Sequence, residues 1–553
     1  MKRNLTGRKH AVHYILLTMA QGMAKGGDGE EAGVAASHAL KLAREAQDTE
    51  GVTITTMFIN QLRLTFPSAS IMDPAAILPT GRKEGVDKSV QVPLYLRAVA
   101  EAAEGVEGIM AGRHPRQTFQ LLSSATQHAR EPLPSPSAPP SISRPEGAHH
   151  PQNPSLFSPH LAIPSTLHLS SVAHASLGSS ATATHSSLLA ANLSLPGAAI
   201  LASCRLARGL ADQGRYRDAA RVLERVKTSH PDVVRGADWG EWRRCAAEIT
   251  FWRALRRGEL GTAEVALNVV EGESSASHSG RVDGAAAGWA GWRAGYGTVE
   301  AMRAELTRRS GDGARAAKMV EEWAASLQGL ERVAAFIEVG RVRMRSSSTL
   351  SALKPLLTAI TLSKRQFAHP LYWRASVLLA NLLIHLGMPR RGLAVANSVV
   401  TDVITHLGAE EKGETWEVLG RCLEESVAEP VQDKRADVPG VVPPHNPSVS
   451  YRLRHASTRA SLLDSSAHHY ALALSCYIQS DNLEAQSRVL ALQADLAHRM
   501  NRLGDRNDAA KEYLALQEVG KRRARFAGRF GKEGVTDACE QVMDEWDREG
   551  RYG

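Results

Sequence analysis

Read for the spacing of its apolar positions, the chain is a succession of helix-length stripes separated by glycine turns. The clearest example is residues 201–231, LASCRLARGLADQGRYRDAARVLERVKTSHP. Ser203, Leu206, Ala207 and Leu210 fall at i, i+3, i+4 and i+7, which on a helix makes one small-to-apolar stripe and turns Arg205 and Arg208 outward. A second helix follows Gly214, with Ala219, Leu223 and Val226 as its buried face. Pro231 stops it, because proline lacks the amide hydrogen that the helical ladder requires. Ala207 and Ala219 are small enough for the places where two such helices approach most closely, and Tyr216 in the turn plugs the end of the gap. One helix pair cannot bury both of its faces, so neighbours must stack on it.

The order Leu-Ala, Gly-x-Tyr, Ala, aliphatic, Pro resembles the tetratricopeptide repeat, roughly 34 residues long, and weaker copies recur along the chain. Residues 13–48 offer Leu16, Met19, Ala20 and Met23, a turn at Gly26-Gly27, then Ala32, Ala36, Ala39 and Leu40, with Gly29 standing where Tyr216 stands in the first unit. Residues 53–65 predict one more helix, broken at Phe66-Pro67, and Gly81 to Asp87 is a polar turn cluster. Helices over 93–105 and 117–130 make one irregular pair. Residues 242–272 repeat the unit through Ala247, Thr250, Phe251 and Ala254, a turn at Gly258 with Leu260, and Ala263, Leu267 and Val270; Ser274 to Gly280 then reads as a loop.

Residues 302–327 follow with Gly311 at the turn, Ala316 at the close contact and Trp323 on the second helix, and 333–345 is a single amphipathic helix. Residues 350–365 and 371–405 form a second clear block, with Leu379-Ala380, Leu383, Gly387 at the turn, Gly392 in the place of Ala219, and Ala396 and Val399 beyond. In the last unit Leu496-Ala497, Met500, Gly504, Ala509, Tyr513 and Leu516 keep the offsets of the first. The expected fold is all-α, a tetratricopeptide-like α-solenoid of stacked antiparallel helix pairs.

Two stretches break the pattern. Residues 131–187 open with PLPSPSAPPSISRPEGAHHPQNPSLFSPH and continue as a Ser/Thr/His/Ala run, too rich in Pro and Ser to predict a packed element, so a disordered insert is expected there. Its Ser-Pro pairs at Ser135 and Ser158 are candidate sites for proline-directed kinases. Residues 427–448, containing EPVQDKRADVPGVVPPHNPS, read as a loop or second insert. The resulting organisation is an N-terminal repeat-like helical segment over 1–130, the insert over 131–187, a central array over 188–426, the loop over 427–448, and C-terminal repeats with a basic tail over 449–553.

Composition narrows the chemistry. With 43% hydrophobic but only 5% aromatic residues, the core is helix-forming Ala, Leu and Val rather than sheet material. The formal net charge of +8 is spread along 553 residues, which is not a nucleic-acid footprint. Cys204, Cys245, Cys422, Cys476 and Cys539 lie far apart without a C-x-x-C pair, as expected of reduced thiols in an intracellular protein. No stretch approaches the roughly 18 apolar residues of a membrane helix. His10, His13 and Gln21 interrupt the apolar segment near the N-terminus and argue against a signal peptide.

No phosphate loop, H-E-x-x-H, G-x-S-x-G elbow or kinase-type set is present. His149-His150 fall in the Ser/Pro tract, and His468-His469 are adjacent on a helix and point about 100° apart, poorly placed to share a metal. Glu30-Glu31, Glu410-Glu411 and Glu424-Glu425 read as solvated helix faces. Lys521 to Arg529, KRRARFAGR, is either a nuclear import signal or contact for an acidic partner, or simply the exposed end of a helix. Trp239, Trp242, Trp252, Trp289, Trp292 and Trp323 read as packing between repeats. No catalytic, cofactor-binding or metal residue is named, no cofactor is expected, and the partner-binding residues stay open.

Beyond the generic repeat, AVHYILLTMAQGM with EEAGVAASHALKLAREAQDTEGV, EWRRCAAEITFWRALRRGELGTAEVAL, LKPLLTAITLSKRQFAHPLYWRASVLLANLLIHLGMPRRGLAV and HYALALSCYIQSDNLEAQSRVLALQADLAHRMNRLGDRNDAAKEY resemble the subunit 5 family of the anaphase-promoting complex, or cyclosome. Two departures stand out. Family members carry a further helical domain ahead of the His-Tyr segment, so the chain is expected to be a fragment or truncated, and the Ser/Pro tract interrupts continuous repeats. The resemblance implies a non-catalytic platform subunit of a multisubunit ubiquitin ligase acting on mitotic regulators, with the largest scaffold subunit and the fourth subunit as partners and no small-molecule substrate. The alternatives are a free-standing adaptor holding a peptide in its concave groove, with Arg205, Arg208 and Gln213 among its readable polar positions, and an enzyme carrying a helical accessory array, for which no uncommitted ordered region is large enough.

Overall fold

A computed structural model describes residues 3–25, 29–48, most of 51–62, 94–130, 162–193, 196–229, 239–278, 299–345, 349–428 and 459–527. Among these residues every regular element is helical, and consecutive helices pack as hairpins. The pairs are α1 (Arg3–Lys25) with α2 (Gly29–Glu45), α3 (Leu94–Met110) with α4 (Pro115–Arg130), α5 (Ala162–Leu177) with α6 (Ser180–Leu193), and α7 (Pro196–Asp212) with α8 (Tyr216–Ser229). They continue as α9 (Trp239–Arg257) with α10 (Leu260–His278), α11 (Val299–Arg309) with α12 (Gly313–Ser326), and α13 (Gly329–Met344) with α14 (Leu353–Arg365), the last two joined through a short 3-10 turn, Thr349–Ala352. The final pairs are α15 (His369–His385) with α16 (Pro389–His406), α17 (Ala409–Ala428) with α18 (Arg459–Gln479), and α19 (Leu483–Arg499) with α20 (Leu503–Ala527). The architecture is the α-solenoid expected from the apolar spacing.

Local chemistry sets the helix ends. Asp312 and Asn482 cap α12 and α19, their side chains accepting from the amides of Arg315 and Ala485. Pro370 and Pro389 occupy the first turns of α15 and α16, where no amide donor is missed. Gly214, Gly258, Gly311 and Gly387 take left-handed φ at the turns where glycine was predicted. In the last pair that role falls to Asn501, at φ 59°, and Gly504 lies inside α20. Asparagine tolerates this conformation, so the turn sits three residues earlier than the glycine suggested.

Packing follows the predicted stripes. Ser203, Leu206, Ala207, Leu210, Ala219, Leu223 and Val226 are buried, and Trp242 from the next pair closes over them, donating its indole N–H to the Leu223 carbonyl at 3.0 Å. Trp323 is likewise buried between repeats, whereas Trp289 and Trp292 lie outside the described residues. Gly392 stands where a Cβ would come 2.9 Å from the Ala380 carbonyl oxygen, so at this crossing even alanine is too large. A closer approach went unread: Gly413 and Gly420 on α17 face Tyr477 and Tyr470 on α18, all two turns apart, and a Cβ on either glycine would meet the ring at 2.8 and 2.6 Å. On α1 the buried positions are His13, Leu17, Ala20 and Gln21, and the predicted Met19 is 49% exposed, because α2 and residues 51–62 together meet a face shifted from the simple stripe.

The expected insert over 131–187 is corrected in its second half. Residues 131–161, with Ser135 and Ser158, lie outside the described residues, but α5 and α6 occupy 162–193. Leu169, Val172 and Ala173 enter the core formed by α3, α4 and α13–α15. The serines that argued against a core are satisfied locally: Ser176 donates to the Val172 carbonyl at 2.8 Å, and Ser171 shares a 2.6 Å bond with Ser187 and donates to the Ala183 carbonyl at 2.8 Å. Ser274 to His278, read as loop, extend α10. Residues 429–458 and 528–553, which hold most of the predicted loop and basic tail, lie outside the described residues, although α17 already runs on to Ala428.

The array also touches itself at long range. The α3–α5 region shares a core with α13–α15, and Tyr216 at the start of α8 donates to the Ser480 carbonyl, 264 residues away, at 3.2 Å. The superhelix therefore completes a turn and lies against itself. Ala219→Leu should force α7 and α8 apart and lower stability by about 1–3 kcal/mol, as overpacking does; thermal denaturation of the purified chain checks this, and Gly420→Val should lose at least as much because the atom it meets belongs to a buried ring.

Candidate functional site: the charged interior of the turn

The first helix of successive pairs, α7, α9, α11, α13, α15, α17 and α19, carries arginines and acidic residues that meet inside the turn. Arg208 is 4% exposed, held by Glu248 at 2.7 Å and Glu241 at 3.1 Å, both from α9. Arg256 of α9 crosses to Glu410 of α17 at 2.6 Å, and Arg374 of α15 to Glu411 at 2.7 Å. Arg309 of α11 pairs with Glu484 of α19, and Glu417 of α17 takes Arg488 at 2.7 Å and the Tyr477 hydroxyl at 2.8 Å.

These contacts correct three sequence expectations. Arg205 and Arg208 do not face solvent, because α5 and α9 flank α7 on the side that a two-helix view leaves open. Glu410 and Glu411 are ion-pair partners inside the turn. Glu424 is 6% exposed and accepts from Tyr470 at 2.6 Å. The His469 ring stacks on Trp416 and lies beside the His468 ring, and among the described residues no group of His, Cys, Asp or Glu is arranged to hold a metal. Of the basic run, Lys521 and Arg522 are exposed on α20.

The seam where the turn closes is concentrated on Asp481, in the α18–α19 connection. Its carboxylate receives Arg253 at 3.0 Å and Arg257 at 2.5 Å, while its backbone holds a φ of 56°. Nearby, Asn482 donates to Glu410 at 3.1 Å, Gln479 to the Gln213 carbonyl at 2.8 Å, and Arg256 to the Tyr216 hydroxyl. Burial alone would raise Asp481, but Arg257 and Arg253 outweigh it and hold the carboxyl below its usual range. Burial likewise opposes Glu305, which Arg308, Arg309 and Arg345 bring down to about 2. For Glu338 and Glu414 burial wins, and their values rise. His168 falls to about 3 through burial and the nearby Arg205 and Arg208, so it stays neutral.

Chemically this arrangement is a clamp. Most of its acids and bases neutralise one another across helices. The outer surface is different in kind: Leu350 in the 3-10 turn and Leu357 on α14 are 64% and 46% exposed, and Val12, Ile15 and Met19 form an exposed stripe on α1.

The fold and this interior define a class: an all-helical repeat solenoid whose developed feature is surface and internal rigidity. Within that class the chain is similar to anaphase-promoting complex subunit 5. It is 25% identical to the Homo sapiens protein over 250 residues, 43% of this chain and 29% of that one. With the Mus musculus protein it shares 22% identity over 330 residues, 58% of this chain and 37% of the other. The Pongo abelii protein matches as the human one does. The resemblance read from the repeats is thus met over roughly half of the chain, and the chain spans about a third of the length of these relatives. No family model matches the chain. Among solved structures, a circular tandem repeat protein with novel repeat topology aligns over 99% of both chains at 11% identity and a TM-score of 0.17, too little overlap to inform the arrangement of helices.

Asp481→Asn keeps a side chain that tolerates left-handed φ but removes the charge shared by Arg253 and Arg257. It should lower stability by about 1–3 kcal/mol and speed hydrogen exchange over residues 480–489; a variant as stable as the parent would contradict the seam. Glu305 binds its proton less readily folded, at about 2, than unfolded, at 4.5. Its contribution is therefore complete above pH 4.5 and lost as the pH falls through 2. Urea titrations across this window should show a shallower fall in Glu305→Gln than in the parent.

Proposed function

We propose that the chain is a non-catalytic scaffold segment of an anaphase-promoting complex, the multisubunit ubiquitin ligase controlling mitotic progression. The observation that carries this reading is the coincidence of the subunit 5 likeness over 43–58% of the chain with a helical solenoid that spends its charged chemistry on holding itself closed. A protein built this way works by presenting a shaped surface while partners do the chemistry. The proposed partners are other subunits of the complex, the largest scaffold subunit and the fourth subunit among them, in nucleus and cytoplasm. The exposed stripe on α1 and the exposed leucines of the 3-10 turn and α14 are the surfaces suited to such contacts.

The adaptor alternative needs an open inner groove. Here most of the inward-facing arginines, Arg208, Arg256, Arg374 and Arg488 among them, are already taken by the chain's own carboxylates, which counts against an extended peptide lying there. Affinity purification of the tagged chain from dividing cells should recover ligase subunits in stoichiometric amounts. Substituting Leu350 and Leu357 together by Ser should reduce that recovery without changing the far-ultraviolet circular dichroism. Recovery of none of the subunits would overturn the proposal.

A further inference from the structure

Part of the charged interior of the turn carries cations that no carboxylate of the described residues pairs with. A cavity of about 270 Å³ lies on the seam, bounded by α5, α6, α7, α9, α11, α13, α15 and the start of α17, and its wall carries seven arginines and lysines against five aspartates and glutamates. Each of those five carboxylates faces an arginine: Asp212 and Glu410 face Arg256, Glu411 faces Arg374, Glu305 faces Arg308 and Arg309, and Glu338 faces Arg341. Two cations in the wall have no carboxylate among the described residues. Arg205 gives its Nε–H to the Ser171 hydroxyl at 2.9 Å and an Nη–H to the Ser171 carbonyl at 3.4 Å. Lys412, near the start of α17, has no ion-pair partner there.

A half-buried guanidinium held only by a hydroxyl and a carbonyl has no carboxylate to share its charge. Burial and the neighbouring Arg208 depress Arg205 to about 9, which records the same cost. The α6 side of the cavity adds hydroxyls: Ser180, together with Thr184 and Ser187, which already donate to the Ser180 carbonyl at 2.9 Å and to the Ser171 hydroxyl at 2.6 Å. A concave site with a fork-shaped cation that no carboxylate neutralises, a second point charge and the Ser180 hydroxyl has the recognition chemistry of a phosphate group. Its volume sits at the lower end for small-molecule sites, which favours a compact ligand over a length of peptide.

We propose that this cavity binds a small phosphate-bearing anion, inorganic phosphate or a phosphomonoester on a compact polar scaffold, with Arg205 as its main contact and Lys412 closing it from the other side. Because Arg205 belongs to α7 and Lys412 to α17, a bound anion bridges the two ends of the superhelical turn and reinforces the seam. Occupancy of the site therefore sets how firmly the scaffold holds its shape.

The test is calorimetric titration of the intact chain with inorganic phosphate, glycerol 2-phosphate and inositol hexakisphosphate in a chloride buffer of fixed ionic strength, with thermal melting in parallel. Saturable binding of at least one probe at one site per chain, with a rise in melting temperature, is the expected result. Tight binding of inorganic phosphate alone marks a free-phosphate site, and tighter binding of either ester marks an ester-bearing ligand. Arg205→Gln should weaken binding by about tenfold or more, the scale of one lost charge-assisted bond, and Lys412→Gln should weaken it severalfold. Lys412→Gln lies on a half-buried position and is the variant to rely on if Arg205→Gln fails to fold. No saturable binding of any probe, or binding unchanged in Lys412→Gln and in a folded Arg205→Gln, would overturn the proposal.

Discussion

The structure depends on neutralising charge where helices of one superhelical turn meet. A buried arginine without a counter-charge costs several kcal/mol, so each inward-facing guanidinium constrains which helix can lie opposite it. Arg253 and Arg257 demand an acid at the seam, and Asp481 supplies it from a tight turn between α18 and α19. Arg256 demands another, and Glu410 supplies it from the start of α17. The apolar stripes tell each helix pair how to fold and its neighbours how to stack. The charges tell residues more than two hundred positions apart where to meet.

This division of labour explains what could be read from the chain. The Ala219, Leu223 and Val226 stripe, the turn at Gly214 and the unusual Gly392 are local facts, written in a 3.6-residue period and a close helix crossing, and all appear in the structure as spaced. The fate of Arg205 and Arg208 is not local. A helical wheel for one hairpin leaves them on the open side, but a solenoid helix is covered on three sides, and the third cover arrives from α5 and α9. The paired glycines Gly413 and Gly420 were a readable signal of close approach, two turns apart on one helix, and their tyrosine partners share the same spacing.

The serine-rich stretch over 162–187 shows the limit of composition as a guide. Serine discourages burial only when its hydroxyl has no acceptor, and inside a helix the carbonyl one turn back is always within reach. Ser171, Ser176 and Ser187 use that route or bond to one another, so Leu169 and Val172 can enter a core with α13–α15. Two of these hydroxyls, Ser171 and Ser187, line the cavity wall in which Arg205 has no carboxylate partner.

A scaffold of this kind has function only as far as its shape persists, and closure of the turn is what fixes the shape. The most direct measurement is a short-range cross-link across the seam. Gln213→Cys and Gln479→Cys, placed where the Gln479 amide meets the Gln213 carbonyl at 2.8 Å, would be combined in a chain lacking Cys476 and Cys539 and treated with a short bismaleimide. Rapid intramolecular cross-linking under native conditions, abolished in denaturant, is the predicted result. Two thiols that react independently in the folded chain would contradict a closed turn.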